Sequence, residues 1–214
     1  MEKQQLDVLL VNSSAQQQAS TTRRFASELI TALQEQDGEM HIHERDVAMG
    51  IPFIDEQWVH ANFTSEDEHT LEQKATLAYS DSLVDELIQA DILVIAAPLY
   101  NFSVPASLKA WIDQISRVGR TFSYNSEGTT GILKNKKAYI VITTGGTKLG
   151  SDIDFASGYL RHVLEFIGIT DVSYISAEGF MFDEESGVEK IRKQIANASE
   201  KDRCRTIGPV AHHH

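Results

Sequence analysis

Three short apolar runs dominate the hydrophobic pattern of the chain: Leu6–Val11, Asp91–Ala97 and Ala138–Thr143. They are rich in β-branched residues and show almost no alternation with polar positions. Runs of this kind are typical of parallel strands that are covered on both faces of a sheet. Two further segments, Met40–Asp46 and Asp171–Gly179, mix polar and apolar residues and predict strands at the two edges.

Helical periodicity fills the intervals between these strands, because apolar residues recur three and four positions apart. The stripes consist of Phe25, Leu29 and Leu33; Leu83, Val84, Leu87 and Ile88; Leu108, Trp111, Ile112 and Ile115; Leu160, Val163, Leu164 and Ile167; and Val188, Ile191 and Ile195. The long segment Asp46–Ala90 also contains Ser65-x-x-Glu68. This motif resembles a capping box and predicts an additional helix before the regular one.

This order of elements predicts a doubly wound α/β fold with five strands. Right-handed crossovers favour a parallel sheet in the order 2-1-3-4-5 with helices on both faces, a three-layer sandwich. We expect a single domain over residues 1–203. Residues 204–214 form a C-terminal tail, and His212–His214 look like part of a purification tag.

Charge and cysteine content narrow the possible functions. The formal net charge of −12 argues against nucleic acid and anionic membranes as partners. The single cysteine, Cys204, permits no disulfide and fits a reducing cytoplasm. No apolar run reaches membrane-spanning length, and we expect no secretory signal. His41-x-His43 has no neighbouring ligand cluster, so we expect a solvated edge strand and no metal site.

Open α/β sheets bind ligands beyond the carboxyl ends of their strands, where the strand order reverses. In the predicted order, three loops meet there: Asn12–Ala19, Pro98–Val104 and Thr144–Asp154. The first leads into a helix whose unpaired N–H groups and dipole favour an anion. Ser14, with the run Ser20-Thr21-Thr22, would add hydroxyl donors.

The absence of glycine from residues 1–37 favours a terminal phosphate over a buried pyrophosphate, which needs closer backbone approach. In the second loop, the run Leu99-Tyr100-Asn101-Phe102 could cover the edge of a planar ring, because an amide both donates and accepts hydrogen bonds. In the third loop, Gly145-Gly146 would let backbone amides approach closely. Each loop also has a simpler explanation: the first could only cap a helix, the aromatic residues of the second could only pack on neighbouring helices, and the third could be an ordinary turn. Together they predict a mononucleotide with a planar head, and FMN fits best.

The three loops resemble those of the FMN-dependent NADH-azoreductases, a family of flavodoxin-like quinone reductases, and the similarity covers nearly all of residues 6–200. Ser14, Ser20, Thr21 and Thr22 stand where the family's phosphate-binding hydroxyls lie. Leu99–Phe102 matches its M-Y-N-F stretch beside the flavin, and Thr143-Thr144-Gly145-Gly146 matches its S-R-G-G stretch. Similar stretches also occur at Gly119–Tyr124, Phe166–Val172 and Ala177–Gly179. This chain departs from the family pattern in two places. Leu99 stands where the family has Met. No Arg precedes Gly145, so the alignment of the third loop could shift by one residue, which would bring in Thr147 instead of Thr143.

The resemblance implies a homodimer with one tightly bound FMN per subunit. It also implies a ping-pong cycle in which NADH or NADPH reduces the flavin and a quinone or azo compound is then reduced. Phe122 and Tyr124, possible contributions of the partner chain, would form the substrate site together with Asn101. The flavin would carry the chemistry, so no acid–base residue is assigned.

Two other functions stay open at this stage: a flavodoxin-like carrier of single electrons, and an NAD(P)H:FMN reductase that releases its flavin. The first loop lacks the dense hydroxyl–glycine pattern of flavodoxins, which argues against the carrier. The physiological acceptor and the choice between NADH and NADPH also stay open. Five basic residues could reach the 2′-phosphate of NADPH: Arg23, Arg24, Arg117, Arg120 and Lys148.

Overall fold

The main sheet of the protein consists of five parallel strands. The computed structural model describes residues 5–126, 128–177 and 188–198. The strands are β1 (Leu6–Asn12), β2 (Met40–Asp46), β3 (Ile92–Pro98), β6 (Lys137–Thr143) and β7 (Asp171–Ala177). Their order is β2-β1-β3-β6-β7, which confirms the predicted order for the five sheet strands. Strands β4 (Phe122–Asn125) and β5 (Gly128–Gly131) do not belong to this sheet. They form a separate antiparallel hairpin that the sequence pattern did not predict.

Helices cover both faces of the sheet. They are α1 (Thr21–Asp37), α2 (Glu56–Phe63), α3 (Leu71–Gln89), α4 (Ala106–Ile115) and α5 (Ser157–Ile167), and residues 188–198 are also helical. Alternate side chains of β1 enter two separate cores. Leu9 and Val11 pack with α3, α4 and α5 on one face. Val8 and Leu10 pack with α1 and the helical residues 188–198 on the other.

Strand β3 lies at the centre of the sheet, and all seven of its residues are buried. It pairs in parallel with β1 and with β6, so that Ala96 lies opposite Asn12 and Pro98 lies opposite Thr143. All four residues lie within two positions of the carboxyl end of their strand. The three loops that follow β1, β3 and β6 therefore leave the sheet at the same edge.

The predicted additional helix exists, but its predicted start is wrong. Ser65 precedes a single 3₁₀ turn, Glu66–Glu68, and makes no side-chain cap. The extra helix is α2, which begins after Asp55, whose carboxylate accepts a hydrogen bond from Trp58 N. The capping box instead begins α3, where Thr70 and Gln73 exchange both capping hydrogen bonds. Thr70 directly precedes the helix that carries the apolar stripe of this segment, whereas Ser65 does not.

Some predictions fall outside the described residues. These are Cys204, the tail 204–214, and the last two residues of the predicted fifth strand, Glu178 and Gly179. In the parts of the chain that the structure describes, no helix is long and apolar enough to cross a membrane.

The β4–β5 hairpin sits on the end of α5 through a contact between two glycines. Gly168 ends α5 with a φ of 108°, and Leu133 N donates to Ile167 O at 2.9 Å. A Cβ atom built on Gly131 would lie only 2.2 Å from Gly168 N. The hairpin therefore requires glycine at position 131, and it lies at the edge of the sheet where β6 and β7 begin.

We expect Gly131→Ala to lower the free energy of unfolding by about 1–3 kcal/mol, because the added methyl group must displace backbone atoms. Chemical denaturation followed by circular dichroism measures the change. Gly158→Ala is the matched control, since nothing lies within 4 Å of a Cβ there and the residue is helical. Equal stability of the Gly131→Ala variant and the wild type would show that the hairpin seat is not tightly packed.

Candidate functional site

The first loop surrounds the start of α1 with hydroxyl groups. Ser20 caps the helix, and its Oγ accepts a hydrogen bond from Arg23 N at 3.3 Å. The N–H groups of Thr21 and Thr22 belong to the first turn and so have no acceptor within the helix. Ser14 is buried, and its Oγ accepts from Gln16 N at 3.3 Å. This arrangement leaves hydroxyl and amide donors at the positive end of a helix dipole.

Direct contacts confirm that the three loops converge. Ser14 Oγ in the first loop lies 3.3 Å from the Tyr100 hydroxyl in the second. Thr22 Oγ1, on the first turn of α1, lies 2.6 Å from Thr143 Oγ1 at the end of β6. Leu99 N donates to Thr143 O at 2.9 Å, joining the second loop to the third.

The second loop makes a strained turn. Tyr100 and Ser103 exchange two backbone hydrogen bonds of 3.0 and 3.1 Å around Asn101 and Phe102. Both central residues have positive φ angles, 49° for Asn101 and 70° for Phe102. Asn tolerates this conformation, but for Phe it is unfavourable by roughly 1–2 kcal/mol. Asn101 is exposed, and it lines a cavity with Tyr100 and Phe155.

The third loop is held by side-chain bonds at both ends. Thr144 is buried, and its Oγ1 donates to Thr147 O at 2.6 Å. Gly145 and Gly146 follow, and neither has a positive φ, so the backbone conformation alone does not require glycine there. The absence of side chains leaves the amides of this segment open to close approach.

Asp154 closes the far end of the third loop. Its carboxylate accepts hydrogen bonds from Gly150 N at 2.8 Å, Ala156 N at 3.0 Å, Ser157 N at 2.9 Å and also from the Ser157 hydroxyl. Burial opposes ionisation of this carboxyl group, but the hydrogen bonds outweigh it and lower the pKa of Asp154 below its ordinary value. Asp154 therefore stays charged and anchors the start of α5.

An open cavity of about 600 Å³ lies beside the second loop. Its aromatic walls are Tyr100, Phe155 and Tyr159, and Phe155 N donates to Phe102 O at 3.0 Å. Burial, followed by the nearby charge of Asp113, raises the pKa of Tyr159 to about 12, so its hydroxyl keeps its proton. Sequence reasoning missed Phe155 and Tyr159, although an aromatic residue at the end of a predicted ligand loop was a usable indication.

Within one chain, the structure does not bring Phe122 and Tyr124 to the three loops. Phe122 is 5% exposed and packs on Phe166 in the last turn of α5, with ring centroids 4.5 Å apart. Tyr124 is 60% exposed and lies edge-on to Phe122 at 5.6 Å. The last turn of α5 lies at the edge of the sheet opposite the loops. Any role beside a ligand held by those loops requires a second copy of the chain.

Most of the basic residues considered for NADPH recognition are engaged in ion pairs. Arg23 binds Asp46 at 2.8 Å, Arg117 binds Asp81 at 2.6 Å, and Arg120 binds Asp81 at 2.9 Å.

On the edge strand β2, His41 lies 3.0 Å from Asp7 and His43 lies 3.2 Å from Glu86. Among the described residues, no group of three or more His, Cys, Asp or Glu could hold a metal ion.

Comparison with known proteins identifies the family. A family model described as "Flavodoxin-like fold" matches residues 7–201. The chain belongs to this flavodoxin-like family. It is 48% identical over 193 residues to the FMN-dependent NADH:quinone oxidoreductase 1 of Hahella chejuensis, which covers 90% of this chain and 95% of that relative. It is 49% identical over 191 residues to the protein of the same name from Colwellia psychrerythraea, covering 89% and 98%.

A solved structure supports the same fold. The FMN-dependent NADH-azoreductase from Bacillus anthracis in complex with FMN superposes with a TM-score of 0.80, covering 92% of this chain and 99% of that one. The sequence identity is 22%, so this likeness concerns the flavodoxin-like fold alone.

We expect Asp154→Asn to destabilise the protein by about 1–3 kcal/mol at neutral pH, because several N–H groups lose a charged acceptor. Because the pKa of Asp154 is lower in the folded state, its charge stabilises the fold fully at pH values above the pKa of the unfolded state. This stabilisation is lost as the pH falls through the pKa of the folded state. The difference between wild type and variant should therefore shrink below about pH 4. Thermal unfolding from neutral to acidic pH measures it, with the exposed Asp152→Asn as control. A difference that does not change with pH would contradict a charged anchor.

Proposed function

We propose that this chain is an FMN-dependent oxidoreductase that uses NADH or NADPH to reduce quinones and azo compounds in a ping-pong cycle. The names of its close relatives support the reaction class. The observation that carries the proposal for this chain is the contact of the three loops at the amino end of α1. The single cysteine is compatible with a reducing cytoplasm as its location.

The donors at the first loop fit a phosphate monoester. Ser20 Oγ uses an acceptor position for Arg23 N, so its hydrogen is free to donate. Thr21 and Thr22 contribute two N–H groups that have no acceptor within the helix, and the Thr21 hydroxyl lies beside them. Together with Ser14 and the helix dipole, these groups would hold the dianion of FMN without a glycine-rich loop.

The second and third loops fit a planar ring. Leu99 and Tyr100 would lie against the ring, with Asn101 and Phe102 at its edge. The amides of Gly145 and Gly146 would stabilise negative charge on the ring, flanked by Thr143 and Thr144. FMN, when bound, supplies the transfer of hydride and electrons. The residues of the chain bind it, orient it and limit the access of water.

The electron carrier and the flavin-releasing reductase remain the competing functions. The aromatic cavity of about 600 Å³ beside the second loop favours an enzyme, because a carrier that passes electrons to proteins needs no pocket for a small substrate. The density of donors for the phosphate favours retention of FMN, which argues against release of the flavin after each turnover.

We expect the purified protein to bind FMN and to show a flavin band near ~450 nm. Anaerobic NADH or NADPH should bleach this band in one two-electron phase, and benzoquinone should restore it. Gel filtration after turnover should leave the flavin on the protein, as a retained cofactor requires. A protein that takes up no FMN contradicts the proposal. No bleaching by NADH or NADPH, with stepwise reduction by dithionite through a stable semiquinone, would favour the carrier, and loss of reduced flavin would favour the FMN reductase.

We also propose that the enzyme is a homodimer, with Phe122 and Tyr124 of one chain beside the FMN of the other. Both aromatic residues lie at the edge of the sheet opposite the loops of their own chain. Large apolar side chains are exposed near the loop edge, including Met49, Phe53 and Phe155.

Analytical ultracentrifugation of the holoprotein should therefore give a dimer. Tyr124→Ala should raise KM for quinone while FMN stays bound, because the residue would contact substrate and not the phosphate. A monomer with full activity would exclude the shared site.

A further inference from the structure

A partly buried arginine, Arg23, joins the two ends of the first loop. Nη2 of Arg23 donates to the backbone oxygen of Ser14 at 2.8 Å. Arg23 itself belongs to the first turn of α1, and its N–H donates to the cap Ser20. The side chain is only 13% exposed. One guanidinium therefore connects Ser14, two residues after β1, with the helix that follows the loop, while residues 15–19 between them are exposed.

The charge of this arginine is already neutralised inside the protein. Nη1 and Nη2 bind the two carboxylate oxygens of Asp46, at the end of β2, at 2.9 and 2.8 Å. Glu44 on the same strand lies 4.0 Å from Nη1. Burial opposes ionisation of Asp46, but Arg23 and the N–H of Ala48 outweigh it and lower the pKa of Asp46. Nη1 and Nη2 thus face carboxylates and a backbone oxygen, whereas the buried Nε has no hydrogen-bond partner.

We propose that Arg23 and Asp46 form a positioning pair that holds the first loop in its phosphate-binding geometry, without contacting the phosphate. This inference rests on the proposed function, since it concerns the FMN phosphate. The planar fork of Arg23 reaches three acceptors at once: the two oxygens of Asp46 and the oxygen of Ser14. A lysine ammonium on a flexible stem cannot reproduce this geometry.

The physical basis is preorganisation of a glycine-free loop. Phosphate binding by hydroxyl and amide donors requires that the donors converge before the ligand arrives, because ordering a loop on binding reduces the affinity. Ser14 and Ser20 lie six residues apart, and the segment between them is exposed and lies outside the helices and strands. Fixing Ser14 to Arg23, and Arg23 to β2, removes this freedom in the free protein.

The test compares FMN with riboflavin, which has the same ring and no phosphate. Dissociation constants of both ligands are measured by fluorescence titration of the apoprotein for the wild type and for Arg23→Gln, Arg23→Lys and Asp46→Asn. We expect all three substitutions to weaken FMN binding on the order of 10-fold to 100-fold, because the loop must then be ordered when the ligand binds. Riboflavin binding should change by less than about 2-fold, since the ring loops are unaffected.

Arg24→Gln is the matched control. It removes the same charge one residue along the helix, from an exposed side chain. Its effect on FMN binding measures the long-range attraction between a cation and the phosphate. Only the additional loss in Arg23→Gln is due to positioning, and equal losses in the two variants would overturn the proposal.

Asp46→Asn separates positioning from direct binding. It frees the Arg23 charge, so FMN should bind more tightly if Arg23 were a phosphate ligand and more weakly if the pair positions the loop. Unchanged or tighter FMN binding, or full rescue by Arg23→Lys, would overturn the inference. Equal loss of FMN and riboflavin would show a general structural role and would also overturn it. A wild-type protein that binds neither ligand would refute the proposed function itself.

Discussion

The parallel register at the centre of the sheet is the constraint on which the rest of the structure depends. At the carboxyl end of β3, the oxygen of Ala96 accepts hydrogen bonds from both the N–H and the Oγ of Ser13, at 3.1 and 2.8 Å. On the other side, Leu99 N donates to Thr143 O. Because β3 is buried along its whole length, a slip by one residue would reverse its two faces. The packing of the core therefore fixes the alignment of the strand ends, and this alignment determines where the three loops begin.

The three loops are stabilised in different ways, and this difference matches the parts of the ligand that each would hold. The first depends on the partly buried ion pair of Arg23 and Asp46, the second on a tight turn, and the third on the Asp154 carboxylate, which accepts hydrogen bonds from several N–H groups. A charged phosphate needs donors that do not move, whereas a ring edge needs a correctly placed amide. The aromatic cavity lies beyond the second loop, where a small acceptor could approach the ring.

The sequence was sufficient to predict what depends on local patterns. Continuous apolar runs indicate the three inner strands of the sheet, mixed segments indicate the two edge strands, and the doubly wound topology follows from the alternation of strands and helices. The hairpin β4–β5 was not predicted, because Phe122–Asn125 and Gly128–Gly131 are four residues each and carry no long apolar run. The capping-box motif occurs at both Ser65 and Thr70, so the sequence pattern alone does not show which of the two begins a helix.

Within the site, the hydroxyls and the glycine pair were visible as residue types in predicted loops. The link from Arg23 to Asp46 was not, because it joins positions 23 residues apart on neighbouring elements. The separation of Phe122 from the loops was also hidden, since it depends on the direction in which α4 and α5 cross the sheet. Long-range contacts of this kind are set by tertiary structure, and a single sequence does not display them.

The turn at Asn101 and Phe102 has a consequence for the order of folding. Two-residue turns with positive φ angles form readily by themselves when glycine or asparagine occupies the centre, but Phe102 opposes that conformation. The turn therefore cannot act as an early nucleus and must wait until β1, β3 and β6 have paired. Refolding protein should therefore acquire its sheet before this loop takes its final shape.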